Sequence, residues 1–475
     1  MLKDRVYQAL LRQFPYEPTS GQRELLALLS DFLSERKARR AFVLRGYAGT
    51  GKTTVVAALV KVLPGMGKQA VLLAPTGRAA KVLTAYSGKK ASTIHKKIYR
   101  LKTASDGRFS LSLMSNPHTN TVFIVDEASM VPDQGDSGDS LFFSGRSLLE
   151  DLISFVFTDD TNSLMLLGDT AQLPPVGSVR SPALEPDYLA SQFKLSVRQL
   201  ELTEVMRQAQ ESGILTNATL VREKISTANP VAPYFTLAGF GDILRIQPAE
   251  VEELLQSFFT GKQPEDAVVI TRSNKRAGQF NRGIRSRILY REEELSAGDY
   301  LMVVRNNYFW LPEESAAGFI ANGDIIEVLR IRETTEIYGF RFARATIRMI
   351  DYPDEDELDV LLMLETLTSE SASLPRADHD RLFNAIMNDY TEIASKRKRL
   401  EKVRNNRYYN ALQVKFAYAL TCHKTQGGQW KQVLVDQGWL PDEPPDTEYL
   451  RWLYTAVTRS CEKLYLLGFK EEFFG

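Results

Sequence analysis

The sequence predicts an α/β fold in which parallel strands carry their polar residues at one edge of a sheet. Residues 41–63 have the pattern of a strand, a glycine-rich turn and a helix. Two further apolar segments, 121–125 and 163–167, lead directly into acidic residues, and strands that alternate with helices favour a parallel sheet. Short strands between residues 298 and 365 depart from this pattern and predict a separate small β-barrel.

The composition is that of a large protein folded into several units. The chain has 475 residues, of which 44% are hydrophobic and 25% charged, and its formal net charge is zero. Its length gives a prior of about three or four folded units. The neutral balance argues against a protein that coats a polyanion with its whole surface, but it permits a local basic groove. No apolar run is long enough to cross a membrane, so no membrane partner is expected.

The N-terminal segment and the cysteines indicate a cytoplasmic protein. Residues 1–14 mix charges into an amphipathic pattern and lack the apolar core and cleavage site of an export signal. Cys422 and Cys461 are the two cysteines, too few for a disulfide framework or a thiolate zinc site. We expect both to be reduced thiols.

A phosphate-binding loop is predicted at residues 46–53, Gly-Tyr-Ala-Gly-Thr-Gly-Lys-Thr, which match the pattern G-x-x-x-x-G-K-[ST] between a strand and a helix. Backbone N–H groups at the helix start can surround phosphates there. Lys52 can neutralise the β- and γ-phosphates of ATP, and the Thr53 hydroxyl can bind Mg²⁺. The candidate nucleotide-binding residues of this segment are Gly46, Ala48, Gly49, Thr50, Gly51, Lys52, Thr53 and Thr54.

Candidate catalytic side chains follow the two apolar strands. The first strand ends in Asp126 and Glu127, of which one can hold Mg²⁺ and the other can polarise the attacking water. The second ends in a polar run that would bring Gln172 near the γ-phosphate. Because the carboxyl ends of parallel strands meet at one edge of a sheet, these side chains are expected beside Lys52.

Further motifs resemble, in order, those of superfamily 1 helicases, specifically the RecD/Dda-like 1B branch. Residues 74–80, Ala-Pro-Thr-Gly-Arg-Ala-Ala, are similar to motif Ia, and residues 91–95 to motif Ib. Residues 202–208 resemble motif IV, residues 422–427 motif V and residues 454–459, Tyr-Thr-Ala-Val-Thr-Arg, motif VI. The resemblance spans nearly the whole chain.

The resemblance implies a role for residues in each motif. Gln22 would read the adenine, and Arg207 and Arg459 would reach the γ-phosphate from a second lobe. Gln426 and Gly427 would complete the nucleotide site, with ATP and Mg²⁺ as the cofactors. The implied DNA-contacting residues are Pro75, Thr76, Gly77, Arg78, Thr93, His95, His423, Lys424 and Thr425.

The resemblance also implies two RecA-like P-loop lobes with two insertions. The lobe segments would be 1–95 with 119–184 for lobe 1A, and 185–297 with 406–475 for lobe 2A. Between them, residues 96–118 contain two alternating arms around Asp106-Gly107, a hairpin signal that would form the 1B pin or, alternatively, a surface ribbon without function. Residues 298–405 would form an SH3-like 2B barrel, with a single charged helix over 378–404 as its arm.

Three segments leave their interpretation open. A helix follows the strand at 267–271, and the arginines around it either track phosphates or are simply solvated. Aromatic residues at 308–310 either stack on bases or pack internally. The serine- and glycine-rich segment 133–144 is typical of a mobile loop.

The function implied is that of an ATP-dependent DNA helicase that translocates 5′ to 3′ on single-stranded DNA. Its partners would be single-stranded DNA, single-strand/duplex junctions, and replication, repair or recombination proteins, with the chain acting as a monomer. An RNA-preferring helicase is one alternative, because sequence does not display contacts to the 2′-OH. A nucleotide-switched adaptor without unwinding is another, although Glu127, Gln172 and Arg459 would then have no turnover chemistry to perform.

Overall fold

Two parallel sheets, a closed barrel and a two-stranded hairpin make up the β-structure in this computed structural model. The residues described are 2–35, 37–103, 109–134, 147–204, 211–225, 227, 231–261, 263–312, 315, 319–440 and 444–474. Arg207, the Asp106-Gly107 turn and most of the segment 133–144 lie outside these ranges.

The first sheet carries the phosphate-loop strand. Strands β1–β8 are Arg40–Gly46, Gln69–Ala74, Ala91–Thr93, Tyr99–Thr103, Phe109–Leu113, Thr121–Val125, Ser163–Gly168 and Ser196–Leu202 in that order. Within the described residues the sheet order is β3-β2-β6-β7-β1-β8 with parallel pairing, and β4 and β5 form the predicted hairpin. Leu44 lies beside Leu167, and Leu73 beside Val125, so β1, β2, β6 and β7 end at the same edge.

Helices pack on both faces of this sheet. Helices α1–α7 are Leu2–Gln13, Ser20–Ser34, Lys52–Val62, Gly77–Ser87, Ile94–Ile98, Leu148–Val156 and Pro186–Phe193 in that order. Leu25, Leu26 and Leu29 of α2 are fully buried on one face. The spacing of these leucines follows the period of an amphipathic helix.

The first lobe extends beyond its predicted boundary at residue 184. Strand β8 pairs with β1 along seven positions, from Arg40 beside Ser196 to Gly46 beside Leu202. It is a half-buried edge strand without a continuous apolar run, and this explains why the sequence pattern did not assign it to the sheet.

The second sheet and its helices form the second lobe, and the barrel interrupts them. Strands β9–β18 are Ile243–Ile246, Ala267–Thr271, Tyr300–Val303, Ile325–Ile337, Phe340–Met349, Leu358–Met363, Leu412–Phe416, Ala419–Thr421, Trp430–Asp436 and Ser460–Leu467 in that order. Helices α8–α15 are Gly213–Ile225, Val251–Phe259, Asn274–Gly283, Glu365–Thr368, Arg376–Asn388, Lys396–Arg404, Cys422–Thr425 and Thr447–Val457 in that order. The parallel sheet has the order β16-β10-β17-β18-β9, and β11–β15 close the barrel.

The barrel differs from its prediction at the C-terminal end. It closes with β15, so it continues past the predicted boundary at residue 405. The segment 416–421 divides between β15 in the barrel and β16 in the second sheet. At the break, the Tyr418 hydroxyl donates to Asp299 Oδ1 at 3.0 Å, which fixes the change of direction.

The charged arm is two helices, α12 and α13, rather than the single helix predicted over 378–404. Ile386 and Val403 both pack with Phe340 and Phe342 of the barrel. A straight helix would place residues 386 and 403 about 25 Å apart, so the chain must turn back to bury both.

Several arginines around α10 form ion pairs within the protein. This role differs from both predicted alternatives, in which the arginines tracked phosphates or were solvated. Arg285 is 7% exposed and its guanidinium bonds to the buried Asp299, which also accepts from Arg291 Nη1 at 2.6 Å. Arg276 forms a two-pronged pair with Asp436 at 2.8 and 2.9 Å. These ion pairs hold the end of α10 on the second lobe.

Tyr308 and Trp310 of the aromatic segment 308–310 pack internally, whereas Phe309 is exposed. Tyr308 lies against Phe319 with ring centroids 4.7 Å apart, and Trp310 Nε1 donates to the Asn410 carbonyl at 2.7 Å.

Within the part of the chain that is described, none of the helices has the length and hydropathy that crossing a bilayer requires.

Candidate functional site

The phosphate loop joins β1 to α3 through left-handed backbone conformations. Gly49 and Gly51 have φ of +77° and +85°, which side chains disfavour. Lys52 is the first residue of α3, and its Nζ donates to the carbonyls of Gly46 and Tyr47 at 2.5 and 2.9 Å. The lysine is therefore folded over the loop whose phosphates it was predicted to contact.

Gln22 ties helix α2 to this loop. It is 3% exposed, and its Nε2 donates to the Thr50 carbonyl at 3.0 Å. Its Oε1 accepts from Thr19 N at 3.1 Å as part of a capping box. The side chain is thus buried against the phosphate loop, and its contact with adenine stays a prediction.

Three carboxylates meet at the carboxyl edge of the first sheet. Asp126 Oδ1 accepts from Glu127 N at 2.9 Å, and Glu127 has φ of +52°, a strained value for a side-chain-bearing residue. Asp169, which the sequence analysis did not select, is 1% exposed at the end of β7. Burial raises the pKa of all three carboxyl groups, and the charge of Lys52 opposes this rise. Lys52 therefore lies close enough to the three carboxyl groups for its charge to affect their pKa values. For Asp126 and Glu127, this proximity was predicted from their position at a strand end.

The second lobe presents Arg459 to these carboxylates. Arg459 is 3% exposed, and its Nε and Nη1 donate to the carbonyls of Thr455 and Gly428 at 3.0 and 3.2 Å. Burial raises the pKa of Glu127, and the positive charge of Arg459 is the largest influence that lowers it. Gln172 is also buried, and its Oε1 has no hydrogen-bond partner among the described residues. The two lobes thus meet at one polar cluster.

A cleft of about 480 Å³ lies between the two lobes and the barrel. Residues from motifs Ia, Ib and V line it, as do barrel residues and residues after β7 that the sequence analysis had not proposed. The predicted ones are Pro75, Thr76, Thr93, His95, His423 and Lys424. The others include Pro175, Val176, Asn306, Phe319 and Asn322. Val176 directly follows Pro174 and Pro175 and is 84% exposed. The sequence shows an apolar residue after two prolines, but only the structure shows its exposure.

Three residues that were predicted to contact DNA also make contacts within the protein, and their contact with DNA stays a prediction. An added Cβ at Gly77 would lie 2.4 Å from Asp324 Oδ1, so the barrel packs directly on it. The guanidinium of Arg78 stacks on the Trp430 ring, with Cζ 3.9 Å from the ring centroid. The buried Thr425 hydroxyl donates to the Cys422 carbonyl at 2.8 Å, because its short helix leaves that carbonyl without a helical partner.

Gln426 and Gly427 lie where the two lobes meet, and their part in the nucleotide site stays a prediction. Gln426 Nε2 donates to the Leu173 carbonyl at 2.7 Å, and the residue lines the cleft. Gly427 has φ of +74°, and an added Cβ would lie 2.8 Å from Ala79 Cβ. Both residues therefore join the second lobe to the first on the cleft side.

We expect Lys424 to make nucleic-acid binding depend on pH. Its Nζ donates to Asn322 Oδ1 at 2.8 Å, and burial lowers its pKa to about 8. A phosphate stabilises the protonated form, so affinity for an oligonucleotide should fall by up to about tenfold as pH rises from 7 to 9. Fluorescence anisotropy of a labelled oligothymidylate measures this.

Lys424→Arg tests this assignment because arginine stays charged throughout that range. Lys96 and Lys415, whose pKa values burial also lowers to about 8, titrate in both proteins, so the difference between the curves isolates Lys424. Lys402→Arg, on the exposed arm, is the control. A Lys424→Arg curve parallel to the wild-type curve would refute the assignment.

Asp324 in the wall of the cleft should make stability depend on pH. Its Oδ2 accepts from Ala321 N at 2.7 Å, and burial, followed by the charge of Asp351, raises its pKa to about 8. The folded chain therefore keeps a proton that the unfolded chain releases near pH 4. This contribution to stability is complete below pH 4 and is lost as pH rises towards 8.

Asp324→Asn should remove this dependence and stabilise the protein at pH 8 by about 1–3 kcal/mol, the usual cost of a poorly satisfied buried polar group. Urea unfolding between pH 5 and 9 provides the measurement, with Asp354→Asn at an exposed position of the same barrel as control. Equal slopes of unfolding free energy against pH in the wild type and in Asp324→Asn would contradict the role assigned to Asp324.

Comparison with known proteins agrees with this architecture. The chain matches the AAA domain family over residues 19–229 and the UvrD-like helicase C-terminal domain family over residues 416–467. It is 32% identical over 198 residues to the ATP-dependent RecD2 DNA helicase of Deinococcus radiodurans, covering 42% of this chain and 24% of that protein. It is 26% identical over 296 residues to the ATP-dependent DNA helicase dda of Enterobacteria phage T4, covering 60% of each. The chain therefore spans about a quarter of the first relative and 60% of the second.

A solved structure with similarity along the chain is that of the Pif1 helicase from Bacteroides in complex with ADP-AlF3 and single-stranded DNA. The identity is 14% and the TM-score 0.48, over 97% of this chain and 95% of that one.

The fold and the site define a P-loop protein of two RecA-like lobes with a barrel inserted in the second. The matches to the AAA domain family and to the UvrD-like helicase C-terminal domain family, and the similarity to two ATP-dependent DNA helicases, agree with the resemblance to superfamily 1B helicases that the motifs had indicated.

Proposed function

We propose that the protein is an ATP-dependent helicase that moves 5′ to 3′ along single-stranded DNA and separates duplex ahead of it. The observation that supports this most is that one pair of lobes builds both sites. Arg459 of the second lobe faces Glu127 of the first, while Lys424 and Thr76 line the same cleft from opposite lobes. If the lobes close around the nucleotide, the walls of the nucleic-acid cleft must therefore move as well.

In the proposed nucleotide site, Lys52 binds the β- and γ-phosphates and Glu127 polarises the attacking water. The unpartnered Oε1 of Gln172 and the buried carboxyl groups fit a site for a metal-bound triphosphate. Thr53 and Asp126 would hold Mg²⁺, which supplies positive charge to the phosphates when bound. Gln172 and Arg459 contact the γ-phosphate, as Arg207 also does in this proposal.

The proposed division of labour follows the domains. The lobes 1A and 2A grip the strand in the cleft through Thr76 and Lys424, and the barrel 2B covers it. The β4–β5 hairpin is the 1B pin, and the Tyr99 hydroxyl anchors its base by donating to Asp151 Oδ2 at 2.8 Å. A pin held rigidly at its base is suited to replace the base stacking that is lost at a junction.

In solution we propose a cytoplasmic monomer that acts at single-strand/duplex junctions alongside replication, repair or recombination proteins. Hydrolysis removes the anion that both lobes hold, so the lobes part and the strand advances.

Unwinding of matched duplexes with a 5′ or a 3′ single-stranded tail tests the proposal. The 5′-tailed duplex should open faster, and Lys52→Ala should open neither. Faster opening of the 3′-tailed duplex would overturn the polarity. Binding without opening of either would favour the adaptor, and stronger stimulation of ATP hydrolysis by a matched RNA strand would favour an RNA helicase.

A further inference from the structure

The hydroxyl of Tyr454 lies between two separate segments of the first lobe. Tyr454 belongs to α15 of the second lobe and is 1% exposed. Its hydroxyl donates to Asp169 Oδ2 at 2.6 Å and accepts from Ala48 N at 3.0 Å. Burial raises the pKa of the phenol well above its ordinary value, so the proton stays on the oxygen. A phenol has one proton to donate, so the directions of both bonds are fixed.

Each partner of Tyr454 belongs to a segment with a place in the proposed reaction. Ala48 N is a backbone amide of the phosphate loop, two residues after its first glycine. Asp169 begins the segment 169–173 that follows β7, which we call motif III. Its Oδ1 accepts from Ala171 N at 2.9 Å, and the charge of Lys52 acts on it. The loop and motif III therefore share one hydroxyl from the opposite lobe.

The second lobe holds the same run at its other end. Leu173 N donates to Thr455 Oγ1 at 2.9 Å, and the Leu173 carbonyl accepts from Gln426 Nε2 at 2.7 Å. Gln426 also lines the cleft that motifs Ia and V form. A continuous set of hydrogen bonds thus leads from the phosphate loop, through Tyr454 and residues 169–173, to the wall of the cleft.

We propose that Tyr454 is a positioning residue that couples the phosphate loop to the nucleic-acid cleft through Asp169. This inference rests on the proposed function, because it assigns a link between the two sites of that function. Tyr454 and Asp169 are buried, so their hydrogen bond cannot be exchanged freely for one with water. If α15 shifts with the second lobe, Ala48 N–H and Asp169 lose their common partner together, and buried polar groups without partners are costly.

Tyr454→Phe is the test, because it keeps the buried ring and removes only the hydroxyl. Tyr449→Phe is a matched control: Tyr449 is also buried in α15, but its hydroxyl accepts from Gln437 Nε2 at 2.8 Å within the second lobe. The readout is the ratio of the dissociation constants of a fluorescent oligothymidylate with and without a non-hydrolysable ATP analogue. Such linkage between two sites is typically about 5- to 150-fold.

We expect Tyr454→Phe to bring this ratio close to one and Tyr449→Phe to leave it at the wild-type value. Asp169→Asn approaches the link from its other end and decides the same question if Tyr454→Phe does not fold. In the double variant, Asp169→Asn should change the ratio no further, because the two side chains act as a unit.

A Tyr454→Phe variant with the wild-type ratio overturns the inference, and so does an equal loss in Tyr449→Phe. Failure of the proposed function is distinguishable from these outcomes. It would appear in the wild-type protein itself, as a ratio of one and an ATPase rate that single-stranded DNA does not change, and it would remove the inference as well.

Discussion

An Arg459→Ala variant is expected to hydrolyse ATP at least about 10³-fold more slowly than the wild type, the lower end of the range for arginines that stabilise phosphoryl transfer. Arg459 is buried at the lobe interface, and its charge opposes the rise in the pKa of Glu127. Its removal takes away the cation that is proposed to contact the γ-phosphate. It also removes the positive charge that lowers the pKa of Glu127. The kcat at saturating ATP and single-stranded DNA is the measurement.

Arg245→Ala is the matched control for this prediction. Arg245 pairs with the exposed Glu471 on the surface of the same lobe, so an arginine is removed there without touching the interface. Arg459→Lys separates charge from geometry, because lysine keeps the charge and lacks the planar fork. An Arg459→Ala variant with a kcat within a few-fold of the Arg245→Ala value would refute the proposed role.

Replacing Glu127 by glutamine should lower kcat by about 10²- to 10⁴-fold, the range for loss of a positioned general base. The amide keeps the size of the side chain but cannot take a proton from water. ATP binding should persist, because Lys52 and the loop amides are unchanged. Single-turnover hydrolysis, together with the affinity for a fluorescent ATP analogue, separates the two effects.

Glu150→Gln, at an exposed position in the first turn of α6, is the control for a change of charge in the same lobe. A Glu127→Gln variant that loses binding and turnover to the same extent would indicate a structural role. That outcome would be reasonable for a residue held at a φ of +52°, and it is why both quantities must be measured.

Much of the nucleotide site could be predicted from the sequence because its signals are local. The phosphate loop needs glycine at fixed positions before a helix, and an apolar strand that ends in Asp126 and Glu127 is visible without any tertiary information. The sequence also predicts that these groups meet at the carboxyl edge of the sheet, because the carboxyl ends of parallel strands lie at the same edge. The structure places Lys52, Asp126 and Glu127 as this reasoning expected.

Contacts with residues distant in sequence could not be predicted. Gly77 and Arg78 lie in a motif that suggested DNA contact, but Asp324 and Trp430, far along the chain, pack against them. No local pattern reports those partners.

The sequence by itself determined the phosphate loop, the strand ends that carry the carboxylates and the presence of a barrel, because hydrophobic period and glycine placement act within a few residues. The tertiary structure alone decided that β8 joins the first sheet, that the charged arm folds back on the barrel, and that Tyr454 joins Ala48 to Asp169. Those features depend on packing between segments up to several hundred residues apart. Such packing is selected by the burial of whole surfaces and not by any short run of residues.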